Sequence, residues 1–414
     1  MSGFLKVDLR RLSPHRPPAL LLGGVNLVRA LGLARIPVIV ASAEPFTPAM
    51  ASRYSIGRCA LPPIAQREAV VERLLRAGEL LTGALCTRVP LFYGDDDQLG
   101  LVQDFRDALS PYFAFVLSEP ALSRALQSKL LFQALAEKRG LPVPRRLEWN
   151  ELAEFDAPVL VKPKLKTDWD NSAVYSQLFH GAGKARVFPE GRALLREPLA
   201  AALHEQLAIQ EYIPGDDRSL WSFHGFADER GKLLAWFIGR KIRTYPALTG
   251  DSSYLELAHD PELAALGREL VQGLGLKGVF KMDFKRHAAS GRFHLLEVNA
   301  RFNLWHYLGA KGGVNLAQVA YDYMMRGVRS APIQSRTRHR WLSPRLDYLA
   351  YRSLAARGEL DATGWLASLI GGPKVYDLFA WTDPLPFARY FSARLRRVPR
   401  RLSRRFSRWL STAS

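Results

Sequence analysis

Cysteine, long apolar runs and, toward the C-terminus, acidic residues are all scarce in this 414-residue chain. Two cysteines, Cys59 and Cys86, are too few for a disulfide framework or a zinc cluster, and we expect both to lie in the core. No apolar run reaches the roughly 18–20 residues of a membrane-spanning helix. The first residues also lack the apolar segment of about 7–15 residues found in signal peptides, so we expect a cytoplasmic protein.

The C-terminal region has no acidic residue after Asp383, and its positive charge is concentrated there. Nine arginines follow, which contribute nearly half of the net charge of +19. They are Arg389, Arg394, Arg396, Arg397, Arg400, Arg401, Arg404, Arg405 and Arg408. The remainder of the chain carries a smaller positive excess, which fits an enzyme with anionic substrates but does not require one.

Six apolar residues run through this arginine-rich region at spacings of 4, 3, 4, 4 and 3. They are Phe391, Leu395, Val398, Leu402, Phe406 and Trp409. The spacing indicates the apolar stripe of a helix, which Pro399 should kink. Residues 389–410 are therefore predicted to bind an anionic membrane surface, which would make the protein peripheral on the inner face of the membrane. Packing on the protein's own body is the alternative, and nucleic-acid binding is disfavoured because no recognition fold accompanies the stripe.

The N-terminal part predicts a parallel α/β sheet. A short apolar strand at residues 19–22 ends in Gly23-Gly24, and a helix follows from Val25 to about Ala34 before the next strand at residues 37–41. The glycine pair does not form a G-x-G-x-x-G motif, so we do not predict a dinucleotide site. Residues 90–94 predict a later strand of this sheet. The three acids after it, residues 95–97, could face a ligand, although more often such acids cap the next helix.

The middle of the chain alternates helices and strands. Helices are predicted at about 123–139, 260–274 and 315–325, and residues 331–382 are expected to be mainly helical. A buried strand ends at Lys162, and another at 208–213 turns at Pro214-Gly215. An antiparallel pair spans residues 220–241. Because a lysine is costly at the end of an apolar strand unless an anion accompanies it, Lys162 is a candidate functional residue.

Residues 276–301 contain the most informative pattern. Asp283 lies in one predicted strand, and Glu297 and Asn299 lie in the next, joined by a loop that contains Ser290-Gly291. Side chains two residues apart share a face, so Glu297, Asn299 and Arg301 point the same way, and antiparallel pairing can bring Asp283 beside them. Two carboxylates and an amide oxygen are hard ligands suited to Mg²⁺ that carries nucleotide phosphates.

An ordinary hairpin with solvated acids on its outer face would show a similar alternation. The surroundings favour a site, because Leu295, Leu296 and Val298 provide the buried partners of a sheet and two aromatic residues follow Arg301 directly.

Taken in order, these segments resemble the ATP-grasp superfamily of carboxylate–amine and carboxylate–thiol ligases, which includes biotin carboxylase, carbamoyl phosphate synthetase and D-alanine–D-alanine ligase. The resemblance runs from about Ser123 to Gly327 and rests on the order and spacing of five motifs, none of them strong alone. Residues 239–246, with Gly250-Asp-Ser-Ser behind them, are similar to the branch of predicted ATP-grasp enzymes that includes D-aspartate ligase.

The resemblance implies an α/β and α+β architecture in three parts. An N-terminal parallel α/β domain (1–115, of the pre-ATP-grasp type) would precede a two-lobed ATP-grasp domain (116–330). The lobes would span 116–205 and 206–330, and a basic, mainly helical C-terminal region would cover 331–414.

The resemblance also implies roles for individual residues. Nucleotide binding is assigned to Lys129, Lys162, Gln210, Glu211, Ile213 and Asp217. Of these, the two lysines would contact the phosphates, Gln210 and the backbone of Glu211 and Ile213 would contact adenine, and Asp217 would hold the ribose. Asp283, Glu297 and Asn299 would bind Mg²⁺ or Mn²⁺, and Arg301 and Arg240 would be catalytic. Lys241 and Arg243 are further candidates for a substrate carboxylate or the γ-phosphate.

The implied activity is ATP-dependent joining of a carboxylate to an amine through an acyl phosphate, with release of ADP and phosphate. The substrates would be small molecules or lipid-linked compounds. The phosphate-covering flap of the family is irregular here, since residues 164–184 offer only Gly181-Ala-Gly183. Two alternatives follow: a non-catalytic nucleotide-binding protein on the same scaffold, or a membrane-surface adaptor that acts through the basic tail.

Overall fold

The computed structural model describes residues 3–164, 177–179, 185–329, 333–334 and 338–397. Within these residues the strands form three sheets, and the helices pack on and between them. The described helices and strands give a mixed α/β architecture, in agreement with the fold class predicted from the sequence. Among the described residues, no helix combines the length and the apolar character needed to cross a bilayer.

The N-terminal sheet has the strand order β1-β4-β3-β2-β5-β6, and all its pairings are parallel except that of β1. Its strands are Leu5–Val7 (β1), Ala19–Leu22 (β2), Val38–Ser42 (β3), Ser55–Ala60 (β4), Val89–Tyr93 (β5) and Phe113–Ala114 (β6). Its helices are Val25–Leu33 (α1), Arg67–Leu85 (α2), Asp96–Asp104 (α3) and Arg106–Leu109 (α4). The predicted strand–helix–strand unit is confirmed. Strand β2 pairs with β3 on one side and with β5 on the other, so the order in which strands are added to the sheet reverses between β2 and β5. Ligands commonly bind α/β sheets at such a point.

A second, smaller unit contains the three-stranded antiparallel sheet β8-β7-β9. Two helices, Pro120–Gln127 (α5) and Lys129–Lys138 (α6), precede it, and their buried Leu126 and Phe132 pack in the core of the other two sheets. Its own elements are Val159–Pro163 (β7), Arg186–Phe188 (β8), Gly191–Leu195 (α7), Pro198–Ala202 (α8) and Leu207–Glu211 (β9). The single helix predicted over 123–139 is wrong. The helix breaks at Ser128, whose extended backbone and hydroxyl cap α6 by accepting from the Leu131 amide.

The largest sheet has the order β14-β13-β10-β11-β12-β16-β17, and β15 also pairs with β11. The strands are Leu220–Ala227 (β10), Leu233–Tyr245 (β11), Asp251–Ala258 (β12), Gly278–Arg286 (β13), Phe293–Asn299 (β14), Ile333–Gln334 (β15), Arg340–Leu342 (β16) and Lys374–Tyr376 (β17). The helices that follow these strands are Pro261–Leu274 (α9), Trp305–Lys311 (α10), Leu316–Arg326 (α11), Pro344–Ala355 (α12), Ala362–Ser368 (α13) and Leu385–Arg397 (α14). Short 3-10 helices lie at Leu9–Arg11, Pro48–Ala51, Trp149–Glu154, His204–Gln206 and Asp217–Ser219.

The C-terminal region is joined to this sheet rather than appended to it. Strands β16 and β17 extend the sheet beyond β12, and a buried ion pair links β11 to α12, with Arg243 Nε 2.7 Å from Asp347 Oδ1. A buried ion pair of this kind has to be well matched to be tolerated, and here Arg243 Nε and Nη2 donate to the two oxygens of the Asp347 carboxylate. The domain boundary predicted at residue 330 stays a prediction.

Helix α10 packs directly on the large sheet because Gly239 has no side chain. A Cβ at this position would lie 2.1 Å from the Trp305 ring, so a larger residue would push α10 off the sheet.

Only one of the two cysteines lies in the core, although both were predicted to do so. Cys59 is buried, but Cys86 is exposed at the left-handed C-cap of α2, so the predicted core role of Cys86 is wrong.

Candidate active site

The predicted hairpin of β13 and β14 is confirmed, and it brings the proposed metal ligands together. Asp283 pairs directly with Glu297, and Lys281 pairs with Asn299. The turn between the strands includes Gly291 in the left-handed region (φ 73°), which a glycine adopts without a steric penalty. The two carboxylates and the amide therefore share one face of a rigid sheet.

Asp283 is the buried centre of this cluster. Its carboxylate accepts from the Ser222 hydroxyl at 2.5 Å and lies 2.6 Å from Lys281 Nζ. Burial alone would raise the pKa of Asp283, but the ammonium groups of Lys281 and Lys241 hold it well below its usual range. The carboxylate is consequently ionised at neutral pH and available to a cation.

A row of polar side chains leads outward from the metal ligands. Asn299 donates to Glu297 Oε1 at 3.0 Å, and Arg301 donates to Asn299 Oδ1 at 3.3 Å. Arg301 also forms a two-point pair with Asp96 of the N-terminal domain, with N–O distances of 2.7 and 3.1 Å. The guanidinium is thereby fixed between β14 and the start of α3.

Of the three acids that follow β5, the first caps the next helix and the second pairs with the large sheet, while the ligand-facing role stays a prediction. Asp95 caps α3 by accepting from the Gln98 amide at 2.8 Å, which is the more common role. Asp96 meanwhile faces the large sheet through its pair with Arg301. The Phe302 amide also donates to Tyr93 O, so the chain after β14 is tied to the end of β5.

The donor set at this cluster fits Mg²⁺. Carboxylate and amide oxygens are the ligands that this ion prefers, and it commonly takes only one or two protein carboxylates together with nucleotide phosphate oxygens and water. Among the described residues, no group of three or more His, Cys, Asp or Glu side chains could hold a metal, so an all-protein site is not found there. Two acids and an amide suit an ion that arrives with a nucleotide.

The two lysines predicted to contact phosphate lie close together in the smaller unit. Lys129, the first residue of α6, donates to Pro163 O at 2.8 Å. Burial first and the neighbouring Lys129 second lower the pKa of Lys162 to about 8, while Glu297 opposes both. The charge of Glu297 on the large sheet therefore acts on Lys162.

A cavity of about 440 Å³ lies on this side of the small sheet and is lined by Lys129, Lys162, Lys164 and Gln210, among others. Its volume falls in the range of roughly 300–1,000 Å³ typical of small-molecule sites. Gln210 pairs with Leu160, two residues before Lys162, so the amide and the ammonium lie on the same face of the sheet.

The strand predicted to contact adenine is held along its outer edge. Glu211 accepts from the Arg145 amide at 2.8 Å, and its own amide donates to Arg145 O. Ile213 is buried just beyond the strand, and Lys285 Nζ lies 4.0 Å from the centre of the Tyr212 ring. The contacts of Gln210, Glu211 and Ile213 with adenine stay predictions.

Asp217 has a structural role that the sequence did not suggest. Its carboxylate accepts from the Thr244 amide and hydroxyl at 2.7 and 2.8 Å and from the Leu248 amide at 2.7 Å. Three of the roughly four acceptor positions of a carboxylate are thus occupied by the segment after β11. This geometry favours a positioning role over ribose binding, which stays a prediction.

The basic residues on β11 separate to opposite faces. Arg240 lies over Trp221 and contacts Glu256, with Nε–Oε1 at 3.2 Å, whereas the charge on Lys241 acts directly on Asp283. Consecutive strand residues point to opposite sides, so Arg240 and Lys241 lie on different faces of β11, and the catalytic role predicted for Arg240 stays a prediction. Arg243 is occupied by Asp347 and is not placed at the site either.

Sequence reasoning missed Lys281, Lys285 and the Asp96–Arg301 pair. Lys281 and Lys285 precede and follow Asp283 by two residues, so the alternation used for Glu297 and Asn299 could have identified both. The predicted flap at Gly181 and Gly183 lies outside the described residues.

Comparison with known proteins agrees with this geometry. Residues 204–343 match the family model described as ATP-grasp in the biosynthetic pathway with Ter operon. A D-aspartate ligase from Enterococcus faecium (strain Aus0004) is 22% identical over 264 residues, which are 60% of this chain and 61% of the relative. The chain therefore spans about three fifths of the length of the curated relative that it matches.

Solved structures share the fold at low sequence identity. L-amino acid ligase from Bacillus licheniformis aligns with a TM-score of 0.54 and 15% identity, covering 78% of this chain and 75% of that one. The ADP complex of N5-carboxyaminoimidazole synthetase from Staphylococcus aureus gives 0.57 and 9%, covering 79% and 81%. The chain therefore has the ATP-grasp fold, and residues 204–343, which hold most of the large sheet, match an ATP-grasp family model.

Proposed function

We propose that this protein is an ATP-dependent ligase that joins a carboxylate to an amine through an acyl phosphate. The observation that carries the proposal is the ionised, buried Asp283 opposite Glu297, with Lys281 and Lys241 beside it and Lys162 facing it from the smaller unit. Converging cations and hard oxygen ligands are what phosphoryl transfer requires, since its catalysis depends on alignment and charge neutralisation.

The residues would divide the work between the two units. Lys129 and Lys162 would hold the nucleotide phosphates, while Asp283, Glu297 and Asn299 would hold magnesium, which would neutralise the triphosphate when bound. The substrate carboxylate would attack the γ-phosphorus and release ADP. The amine would then attack the acyl carbon and release phosphate, which leaves an amide.

Arg301 and Lys241 would stabilise the charge that develops in these two steps. Arg301 is held in place by two hydrogen bonds to Asp96, so it need not be reorganised when the acyl phosphate forms. An amino acid is proposed as one substrate, because D-aspartate ligase and L-amino acid ligase are named for that class. A cytoplasmic location forms part of the proposal, since ATP would be the phosphate donor.

Thermal unfolding with and without Mg²⁺-ATP tests the nucleotide site. A ligand at about 100 times its dissociation constant adds about 2.7 kcal/mol to the free energy of unfolding. We expect this gain in the wild type and its loss in Glu297→Ala. Glu269→Ala, which changes an exposed acid on α9, is the matched control and should keep the gain.

ADP release then separates the ligase from a nucleotide-binding protein. We expect release that requires both an amino acid and an amine, and that disappears in Glu297→Ala. A magnesium-dependent stability gain without ADP release across a panel of amino acids would favour the non-catalytic alternative. No gain at millimolar nucleotide would contradict the proposal itself.

A further inference from the structure

A cluster of four aromatic rings, three of them exposed, lies near the end of the described chain and includes none of the residues of the proposed active site. The centre of the Phe379 ring lies 4.8 Å from that of Trp381 and 5.5 Å from that of Phe387. The Phe387 ring stacks on Phe391, with their centres 6.0 Å apart. Trp381 is 87% exposed, Phe391 52% and Phe387 40%. Large apolar side chains that contact one another in solvent usually mark an interaction surface. We call these four rings the aromatic surface.

The surface is held firmly against the N-terminal domain. Asp383, which is 1% exposed, accepts from Arg29 Nε at 3.0 Å, from the Ser52 hydroxyl at 2.8 Å and from the Arg53 amide at 2.9 Å. Arg29 of α1 also donates to the carbonyls of Leu378 and Asp383. These bonds fix the chain on both sides of Trp381, so the rings are not the end of a loose tail.

The helix that follows adds positive charge to the same region. Phe387 and Phe391 are four residues apart in α14 and therefore share a face, and Arg394 lies three residues beyond Phe391. From Pro384 to the last residue the sequence contains nine arginines and no acid. An apolar aromatic face bordered by arginine is the arrangement of helices that lie in a membrane interface.

We propose that the aromatic surface and α14 dock the protein onto an anionic phospholipid membrane. Trp381, Phe387 and Phe391 would enter the interface, and the arginines would contact the lipid phosphates. Two copies of the chain joined through this surface are disfavoured, because the same basic segments would face each other. The inference does not depend on the ligase activity, since none of these residues belongs to the proposed active site.

Co-sedimentation of the full-length protein with phosphatidylcholine vesicles, with and without phosphatidylglycerol, tests the proposal. We expect binding to the anionic vesicles that is stronger by about tenfold or more and is weakened by salt. Trp381→Ala/Phe391→Ala should lower it on the order of tenfold, as should Arg389→Gln/Arg394→Gln. Leu9→Ala removes a 62% exposed leucine elsewhere and should bind like the wild type.

Each remaining outcome overturns the proposal. Equal binding to neutral and anionic vesicles would remove the charge requirement, and unchanged binding by the aromatic variant would remove the role of the surface. Tighter binding to RNA or single-stranded DNA than to vesicles would assign the surface to nucleic acid. Self-association lost in the aromatic variant would assign it to a second copy. Unfolding with Mg²⁺-ATP in the same variants shows whether they remain folded with the nucleotide site intact.

Discussion

The large sheet and the smaller unit place half-buried lysines in opposite electrostatic surroundings. In the large sheet, Lys281 contacts the Asp283 carboxylate at 2.6 Å, and Lys241 acts on the same carboxylate. For Lys162, the charge with the largest effect is that of another lysine, Lys129, and the pKa of Lys162 falls to about 8. The first arrangement balances charge within the protein, whereas the second would be completed by an anion under the proposed function.

This difference indicates how the site would assemble. The large sheet keeps the Asp283 carboxylate ionised through Lys281 and Lys241 in the absence of a cation, so we expect this part of the site to be in place before a nucleotide arrives. The smaller unit instead carries a cost, because burial and a like charge both oppose the protonated form of Lys162. A triphosphate would relieve that cost, which is a physical reason for nucleotide binding to draw the two units together.

Removing one charge from each unit should give the largest contrast. Asp283→Asn leaves Lys281 and Lys241 without their buried carboxylate and should lower the free energy of unfolding by about 3 kcal/mol. Lys162→Met removes a poorly compensated charge and should leave the free energy of unfolding unchanged or raise it by about 1 kcal/mol. Urea unfolding of both variants without nucleotide measures the difference. Equal destabilisation by the two substitutions would show that the units do not differ as described.

The pH dependence of nucleotide binding should show an effect of intermediate size that depends on Lys162. Phosphate prefers the protonated ammonium, so Mg²⁺-ATP affinity should fall as the pH rises through about 8, by up to about tenfold per pH unit. The stability of the free protein should change in the opposite direction. Between pH 8 and the ordinary lysine pKa of 10.5 the unfolded chain binds more protons at this position, so Lys162 makes stability rise with pH.

Substitution by arginine separates Lys162 from other lysines that titrate nearby. Lys162→Arg keeps the charge across this range and should flatten the affinity profile measured by titration calorimetry. Burial also lowers the pKa of Lys285 to about 8, so Lys285→Arg is the matched control and should retain the slope. A profile that is flattened only by Lys285→Arg would assign the titrating cation to Lys285 on β13, beside the Tyr212 ring, and not to Lys162.

Local patterns predicted the large sheet better than the smaller unit. Strand alternation placed Asp283, Glu297 and Asn299 on one face because that rule depends only on neighbouring residues, and the same rule would have found Lys281. The helix break at Ser128 was missed because the apolar periodicity continues across it. Only the structure shows that the backbone of Ser128 is extended and that this residue caps α6. Arg240 and Lys241 were both candidates, because residue type alone does not say on which face of the strand each residue lies.

Contacts between distant segments were beyond local rules altogether. Asp96 and Arg301 are 205 residues apart, and their pairing depends on how the end of β5 meets the end of β14. Asp217 similarly accepts from residues 27 and 31 positions later. In both cases the sequence identifies a side chain that could bind a ligand. Only the packing of distant segments decides whether that side chain is free for a ligand or forms hydrogen bonds within the protein.

The Asp96–Arg301 pair predicts the smallest effect on stability and a distinct effect on activity. Its side chains are 44% and 20% exposed, so Asp96→Asn should lower the free energy of unfolding by only about 0.2–1 kcal/mol. Arg301 would keep its charge and its contact with Asn299 but lose two fixed hydrogen bonds. Asp96 acts through Arg301 as a positioning residue, so we expect the rate of ADP release to fall about tenfold while the affinity for Mg²⁺-ATP is unchanged.

The control is Asp97→Asn, which changes the exposed neighbour of Asp96 and should leave both the rate and the affinity at the wild-type level. A change in nucleotide affinity with an unchanged rate would instead show that Asp96 contributes to nucleotide binding. The N-terminal domain would then have to be included in the comparison between the large sheet and the smaller unit.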